Sequence, residues 1–340
     1  MRLSAVIPSY GRPEKLRRAL TSLASQSDVG GDFEVLVGLD GGTSEEAALI
    51  QREFAACSGR IRVYAMPRSG LAAVRNALIR ETTGDVMLSL NDDIIASPNL
   101  LAEHVRAHDQ RRVLVVGAAD WKVHSDDTIF DRLIRETSMI FFYASMNTTE
   151  ARAQPDRDWG FRHAWTINLS MRMDDVRALG GYTVFDSWYG SEDLDMAFRA
   201  SKLSGGRPVM YRPLAHVIHD HRIGLREYLE REYKLGYNAI HFARASPEAA
   251  FATFGRDVAA HAEYEYSLQY VKHEQGSAKR ALELMTSVTA RTSDQDSWEV
   301  LRDSLYAAHL PLKRWCWRSG LIACVEGRPI EDARSIAQWP

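Results

Sequence analysis

Cysteine is scarce. Three residues in 340, Cys57, Cys316 and Cys324, with no close pair, supply neither a disulfide framework nor a zinc ligand set. No apolar run approaches the ~18–20 residues that cross a bilayer. The first run, Leu3 to Ile7, is too short for a signal peptide and meets Pro8 at once. A cytoplasmic location with reduced thiols is the expectation. Neither sign of charge dominates: 42 Lys and Arg stand against 45 Asp and Glu, a net of -3, which argues against a nucleic-acid partner. Also missing is a G-x-G-x-x-G after the first apolar run, where Pro8-Ser9-Tyr10 stands; this argues against an NAD-dependent oxidoreductase. What is present is the balance of a folded chain, 45% hydrophobic and 26% charged with 22 Gly and 11 Pro, long enough for one large domain or two ordinary ones.

Strand and helix patterns alternate through the first hundred residues. Strands are expected at Leu3–Ile7 (stopped by Pro8), Phe33–Leu39, Ile61–Met66 and Val86–Leu90. Helices are expected from Pro13 to Ser25, from Thr43 or Ser44 to about Cys57, and from Leu71 to Arg80. Such alternation implies a mostly parallel sheet covered on both faces. A further helix, Asn99–Asp109, and strand, Val113–Ala118, follow; then come a helix over Thr128–Tyr143, a polar loop over Thr149–Trp159, a strand Trp165–Met171, a short helix Met173–Leu179 and an amphipathic helix Leu194–Ser204. A strand is expected at Pro208–Arg212, and helices at Leu225–Ala245, Pro247–Glu274 and Ala278–Ala290. The change from alternation to helix sets the domain boundary near residue 222, with halves of about 1–118 and 119–222 before a helical region, 223–340.

In open α/β sheets ligands bind beyond the carboxyl ends of the strands. Polar groups collect there: Pro8, Ser9, Tyr10 and Arg12 after the first strand, Asp40 after the second, Arg68 and then Arg75 after the third, Asn91-Asp92-Asp93 after the fourth. Singly, Asp40 reads as a turn residue and Arg75 as a solvated helix residue; four strand ends together point to one crevice. Adjacent carboxylates leaving a buried strand repel unless a cation or proton relieves them, and Mg2+ or Mn2+ joins protein carboxylates to substrate phosphates. The alternative for Asp92 and Asp93 is helix capping, which Ser97 or Asn99 serves better. A second cluster, Ser191-Glu192-Asp193-Leu194-Asp195, opens a helix, where the dipole alone would favour carboxylates; a base facing the crevice is the functional reading. The aromatics before this cluster, Trp188 and Tyr189, would supply a flat apolar wall beside that base. In His216-Val217-Ile218-His219-Asp220-His221, strand geometry puts His219 and His221 on one face.

These residues resemble the GT-A-fold glycosyltransferases of family 2. Val6-Ile7-Pro8-Ser9-Tyr10-Gly11-Arg12 is similar to that family's opening, Val35 to Thr43 to its second strand and loop, Gly70-Leu71-Ala72-Ala73-Val74-Arg75-Asn76 to its G-x-x-x-A-R-N helix, and Asn91-Asp92-Asp93 to its DXD element. Gly180-Gly181-Tyr182 through Asp195 and Pro213 to His219 resemble its later motifs. The resemblance implies that Pro8, Ser9, Tyr10, Arg12, Asp40, Arg75 and Asp92 bind the nucleotide of a sugar donor. It implies that Asp93 and His219 hold Mn2+ or Mg2+, that Asp193 is the catalytic base with Glu192 beside it, and that Trp165, Trp188 and Tyr189 bind acceptor or sugar. Two departures stand out: the usual paired Asp after the second strand is Leu39-Asp40, and the DXD element begins with Asn91.

The implied reaction is inverting transfer from a nucleoside-diphosphate sugar, UDP-type favoured, to a glycan, lipid-linked or small-molecule acceptor. A retaining enzyme, a nucleotidyltransferase and a non-catalytic sugar-nucleotide binder remain as alternatives. In the helical region, Lys313-Arg314-Trp315-Cys316-Trp317-Arg318 mixes cations with aromatics. Packing on the protein ranks first for this segment, a homodimer face second and peripheral contact with a membrane third.

Overall fold

The structure is a computed structural model that describes all residues except 28, 30–31, 58–59, 110, 187–189, 290–297 and 333–340, and omits the side chains of 57 and 332. In chain order the first elements are β1 (Leu3–Ser9), α1 (Pro13–Ala24), β2 (Phe33–Asp40), α2 (Ser44–Glu53), β3 (Ile61–Met66), α3 (Leu71–Glu81), β4 (Val86–Leu90), β5 (Ile94–Ala96), α4 (Leu100–Ala107) and β6 (Leu114–Trp121). Then follow α5 (Ile129–Glu136), α6 (Tyr143–Met146), α7 (Thr149–Arg152), β7 (Asn168–Arg172), α8 (Met173–Ala178), α9 (Glu192–Ser201) and β8 (Val209–His219). The chain ends in α10 (Leu225–Ala245), α11 (Pro247–Phe254), α12 (His261–His273), α13 (Gln275–Thr289) and α14 (Trp298–Val325).

Two units emerge. The first comprises Met1–Lys122, Met146–Val184 and Glu192–His221; the second comprises Val123–Ser145, Phe185–Ser191 and Arg222–Pro340. Segments 123–145 and 185–191, read from sequence as parts of the first domain, thus group with the helical unit.

Among the described residues, eight strands form one sheet in the first unit, in the order β3-β2-β1-β4-β7-β6-β8-β5. β1 pairs in parallel with β2 and β4, and β2 with β3. β1, β2 and β4 are buried along their whole length and are mostly apolar, as strands covered on both faces are; inside them Ser4 Oγ donates to Glu34 at 2.6 Å. Each Val, Leu or Ile so buried contributes roughly 1.5–3 kcal/mol. β7 enters antiparallel between β4 and β6, which makes the sheet mixed.

β1 does not stop at Pro8: pairing with β4 ends at Val6↔Ser89, while pairing with β2 continues to Ser9↔Leu39. Pro8 therefore has a single neighbouring strand, a place where a missing N–H is tolerated. β8 likewise runs past Pro213 to His219, because the ladder with β6 jumps from Gly117↔Arg212 to Ala118↔His216 and absorbs the proline in a bulge. The expected Thr149–Trp159 loop holds the short helix α7, and the Thr128–Tyr143 helix is shorter, ending at Glu136. α9 starts at Glu192, two residues before the expected Leu194.

In the helical unit the expected helix over 247–274 is two, α11 and α12, broken where Gly255 takes φ 69. α10 and α14 cross at glycines. A Cβ on Gly236 would lie 1.7 Å from the Trp317 carbonyl oxygen, and one on Gly320 would lie 1.9 Å from that of Tyr233. Gly320→Ala is expected to force the helices apart and destabilise by about 1–3 kcal/mol or more. Gly276→Ala, whose Cβ would meet only Arg280 Nη1 at 3.5 Å, is expected to be neutral or stabilising by up to about 1 kcal/mol; denaturant titration of both variants checks the contrast. The aromatic-basic stretch packs inside this unit: Trp315 Nε1 donates to Val271 O at 3.0 Å, and Arg318 bonds Glu263 and Ser267 while lying over Tyr266. Among the described residues no helix is long and apolar enough to cross a membrane.

Candidate active site

The ends of β1, β2 and β4 carry the predicted polar residues into the first unit's site. Ser9 Oγ donates to Asp92 Oδ2 at 2.8 Å, and the Arg12 guanidinium spans the pair, Nη2 lying 2.8 Å from Asp92 and Nη1 2.5 Å from Asp93. Both carboxylates are buried, at 0% and 2% exposure. Burial pushes the Asp92 carboxyl up despite Arg12. For Asp93 burial is outweighed by His219, Arg12 and His221, which hold its carboxyl well below the usual range.

β8 brings His219 to Asp93: Nε2 lies 3.4 Å from Oδ1, and His221 Nδ1 lies 3.5 Å from Oδ2. The Asp220 N–H donates to the Asp93 carbonyl at 2.7 Å, which locks the two motifs together. Trp121, at the end of β6, packs its ring 4.5 Å from His219. No local pattern announces this contact, because Trp121 reaches the site only through the extension of β6 beyond the expected Ala118.

At the end of β2, Asp40 accepts from the Ser69 and Gly70 backbone at 2.6 and 3.1 Å and pairs with Arg68. It thereby fixes the turn into α3. Arg68 also lies over the exposed Tyr10 ring, 3.5 Å from its centroid. Pro8 pairs with Gly38 at the inner edge of this region.

Arg75 is no solvated helix residue. At 1% exposure it bonds Glu192 Oε1 at 3.0 Å and Asn91 Oδ1 at 3.4 Å. It thus ties the start of α9 to the residue before Asp92. Asp193, next in the chain, accepts from the Leu194 N–H at 2.8 Å and from the Thr166 backbone. Burial, and then the charge of Glu192, raise its carboxyl well above the usual carboxylate range; the two backbone donors and Arg75 offset this in part.

Asn76 clamps the loop ahead of α9, donating to Tyr182 O at 2.7 Å and accepting from its N–H at 2.8 Å. Gly181 has φ +83, and a Cβ there would stand 2.5 Å from Asn76 Oδ1, so the Asn and the glycine require each other. Arg199 secures the same loop through Leu179 O and Gly181 O, and Asp195 through Thr183. Asp195 is therefore a clamp. Trp165 is buried, edge-on to His163 at 5.7 Å. Trp188 and Tyr189 lie outside the described residues.

Comparison with known proteins adds to this geometry. A family model described as "Glycosyl transferase family 2" matches residues 4–174. An uncharacterized glycosyltransferase of Bacillus subtilis is 33% identical over 125 residues, 36% of this chain and 31% of that protein. Validoxylamine A glucosyltransferase of Streptomyces hygroscopicus subsp. limoneus is 26% identical over 218 residues, 58% of this chain and 47% of that protein. The chain thus spans half or less of the length of these relatives. Among solved structures, a mannosyltransferase from Pyrobaculum calidifontis, in complex with GDP-Man and Mn2+, aligns with TM-score 0.56 at 18% identity over 96% of this chain and 86% of that one. The likeness identifies the sheet with its flanking helices as the GT-A fold. With half of its length under the family model and that family's motifs gathered at one set of strand ends, the chain belongs to glycosyl transferase family 2.

Proposed function

We propose that the chain transfers a sugar from a nucleoside-diphosphate donor to an acceptor hydroxyl, with inversion, assisted by a divalent ion and with Asp193 as base. The observation that carries this reading is the linkage of groups distant in sequence: Glu192 to Arg75 to Asn91, next to Asp92 and Asp93, and Asp93 to His219. Family membership supports it, as does a fold shared with an enzyme seen with GDP-Man and Mn2+.

The residues present fit a divalent ion. Asp93 and His219 offer an oxygen and a nitrogen 3.4 Å apart, a spacing suited to neighbouring ligands on one ion. Among the described residues no three His, Cys, Asp or Glu form a complete cage. The remaining ligands would come from the diphosphate and water, as is usual for Mg2+. Held there, the ion would neutralise charge on the departing diphosphate.

The chain's own groups supply the rest. Tyr10 with Arg68 above it offers a flat cationic platform for the base, and Pro8, Ser9, Asp40 and Arg75 shape the nucleoside side. Trp165, Trp188 and Tyr189 are assigned to sugar or acceptor. Asp193 takes the acceptor hydroxyl proton as the acceptor oxygen bonds the anomeric carbon. The bond from that carbon to the diphosphate breaks, and its electron pair leaves with the nucleoside diphosphate. A base needs an affinity for protons near the working pH, and the burial of Asp193 moves it that way.

The test is nucleoside diphosphate release from UDP- and GDP-sugars with Mn2+ or with EDTA, and the anomeric configuration of the product by NMR. Release that needs the ion, with inverted product, is expected. His219→Ala is expected to raise the Mn2+ concentration for half-maximal rate at least about tenfold, since losing a ligand costs no less than losing its outer-sphere partner. Release of pyrophosphate would replace this reading with nucleotidyl transfer.

A further inference from the structure

Arg12 stands where helix rules would not put it. It is the N-cap of α1, with φ -129 and ψ 53, and its side chain caps nothing. Short oxygen-bearing side chains are preferred there, and a cation faces the positive end of the helix dipole. A local rule broken in this way points to a role elsewhere. The guanidinium spans the Asp92–Asp93 pair instead, with 36% of its side chain still in solvent against 0% and 2% for the carboxylates. One accessible guanidinium therefore faces two buried carboxylates, joined at Asp93 by the imidazoles of His219 and His221. Asp93 is also the carboxylate that faces His219: Oδ2 is engaged by Arg12, and Oδ1 lies toward the imidazole.

We propose that Arg12 is an internal counter-ion that a free divalent ion must displace, so that the ion enters together with the nucleoside diphosphate. This rests on the metal-dependent reading above. Two positive charges brought to carboxylates already compensated gain less than at a bare pair, and the incomplete protein cage leaves little to make up the difference. A diphosphate changes the balance in two ways. It supplies ligands to the ion, and its oxygens give the released guanidinium new partners; Arg binds carboxylate and phosphate through the same planar fork. Ion and nucleotide would then each strengthen the other's binding by the same factor, with Arg12 carrying much of that coupling.

Mn2+ binding to the full chain, read as loss of the free-ion EPR signal without turnover, tests this. Wild type, Arg12→Met and Arg12→Lys are titrated alone and with UDP or GDP. Arg12→Met is expected to bind Mn2+ alone about tenfold tighter than wild type, within the range of ordinary couplings, and the gain from nucleotide should shrink by a similar factor. Arg12→Lys keeps the charge but cannot span two carboxylates, and should fall between. Equal or weaker Mn2+ binding in folded Arg12→Met would make Arg12 an organiser of the site and overturn the proposal. If Arg12→Met does not fold, Arg12→Lys decides: affinity equal to wild type overturns the proposal as well. Wild type that binds no Mn2+ even with UDP and GDP defeats the metal-dependent reading, and this inference with it.

Discussion

Asp193→Asn is expected to lower transfer by about 10²–10⁴-fold, the usual worth of a positioned acid or base, while the fold and nucleotide binding persist. The amide keeps the shape of the side chain and an oxygen for the Leu194 N–H but cannot take the acceptor proton. Stability gives the second readout. Burial and the neighbouring Glu192 raise the Asp193 carboxyl in the folded chain, so the folded state holds that proton more tightly than the unfolded one. Stability is therefore lost as pH rises from the ordinary carboxylate range through the raised one. The variant, free of that cost, should melt at the same temperature as wild type or higher at neutral pH, a trade of stability for function. The acid limb of wild-type kcat/KM should likewise stand above the ordinary carboxylate range. Wild-type rates in the variant would remove Asp193 from the role of base.

The strand ends were legible because parallel strands buried on both faces are mostly apolar, and the polar residues at their carboxyl ends mark the crevice. Ser9, Asp40 and Asp92 stand where that logic puts them. What depends on long-range pairing was not legible. Helical periodicity placed Arg75 on α3 but not against Glu192, 117 residues away. The strand expected to end at Arg212 is carried on to His219 by the bulge opposite Gly117. The same ladder lengthens β6 to Trp121, and so delivers a ring to His219 that no local pattern announced. Asp195 looked like a member of the acidic cluster, yet it serves Thr183 and Arg199; two carboxylates two residues apart on a helix face different surroundings.

Arg75→Met should be among the most damaging single changes in the chain. Arg75 and Glu192 have 1% and 10% of their side chains exposed. Removing one partner of such a pair strands the other charge in a medium that solvates it poorly, at a cost of roughly 3–5 kcal/mol. Glu192 itself is buried at 8% exposure, so its charge is left in that poorly solvating medium. The Asn91 side chain loses its donor at the same time. Both the start of α9, where Asp193 sits, and the residue leading into Asp92 are then less well fixed, so transfer should fall along with stability. A plain packing role predicts something else: loss in proportion to the side-chain atoms removed, whatever stands at position 192. The double variant Arg75→Met with Glu192→Leu distinguishes the two. It removes both charges, and the stability lost in the single variant should largely return in denaturant titration, since a buried pair replaced by apolar groups is often neutral, whereas activity should not return. A double variant as unstable as Arg75→Met would show that the ion pair is not what holds α3 to α9.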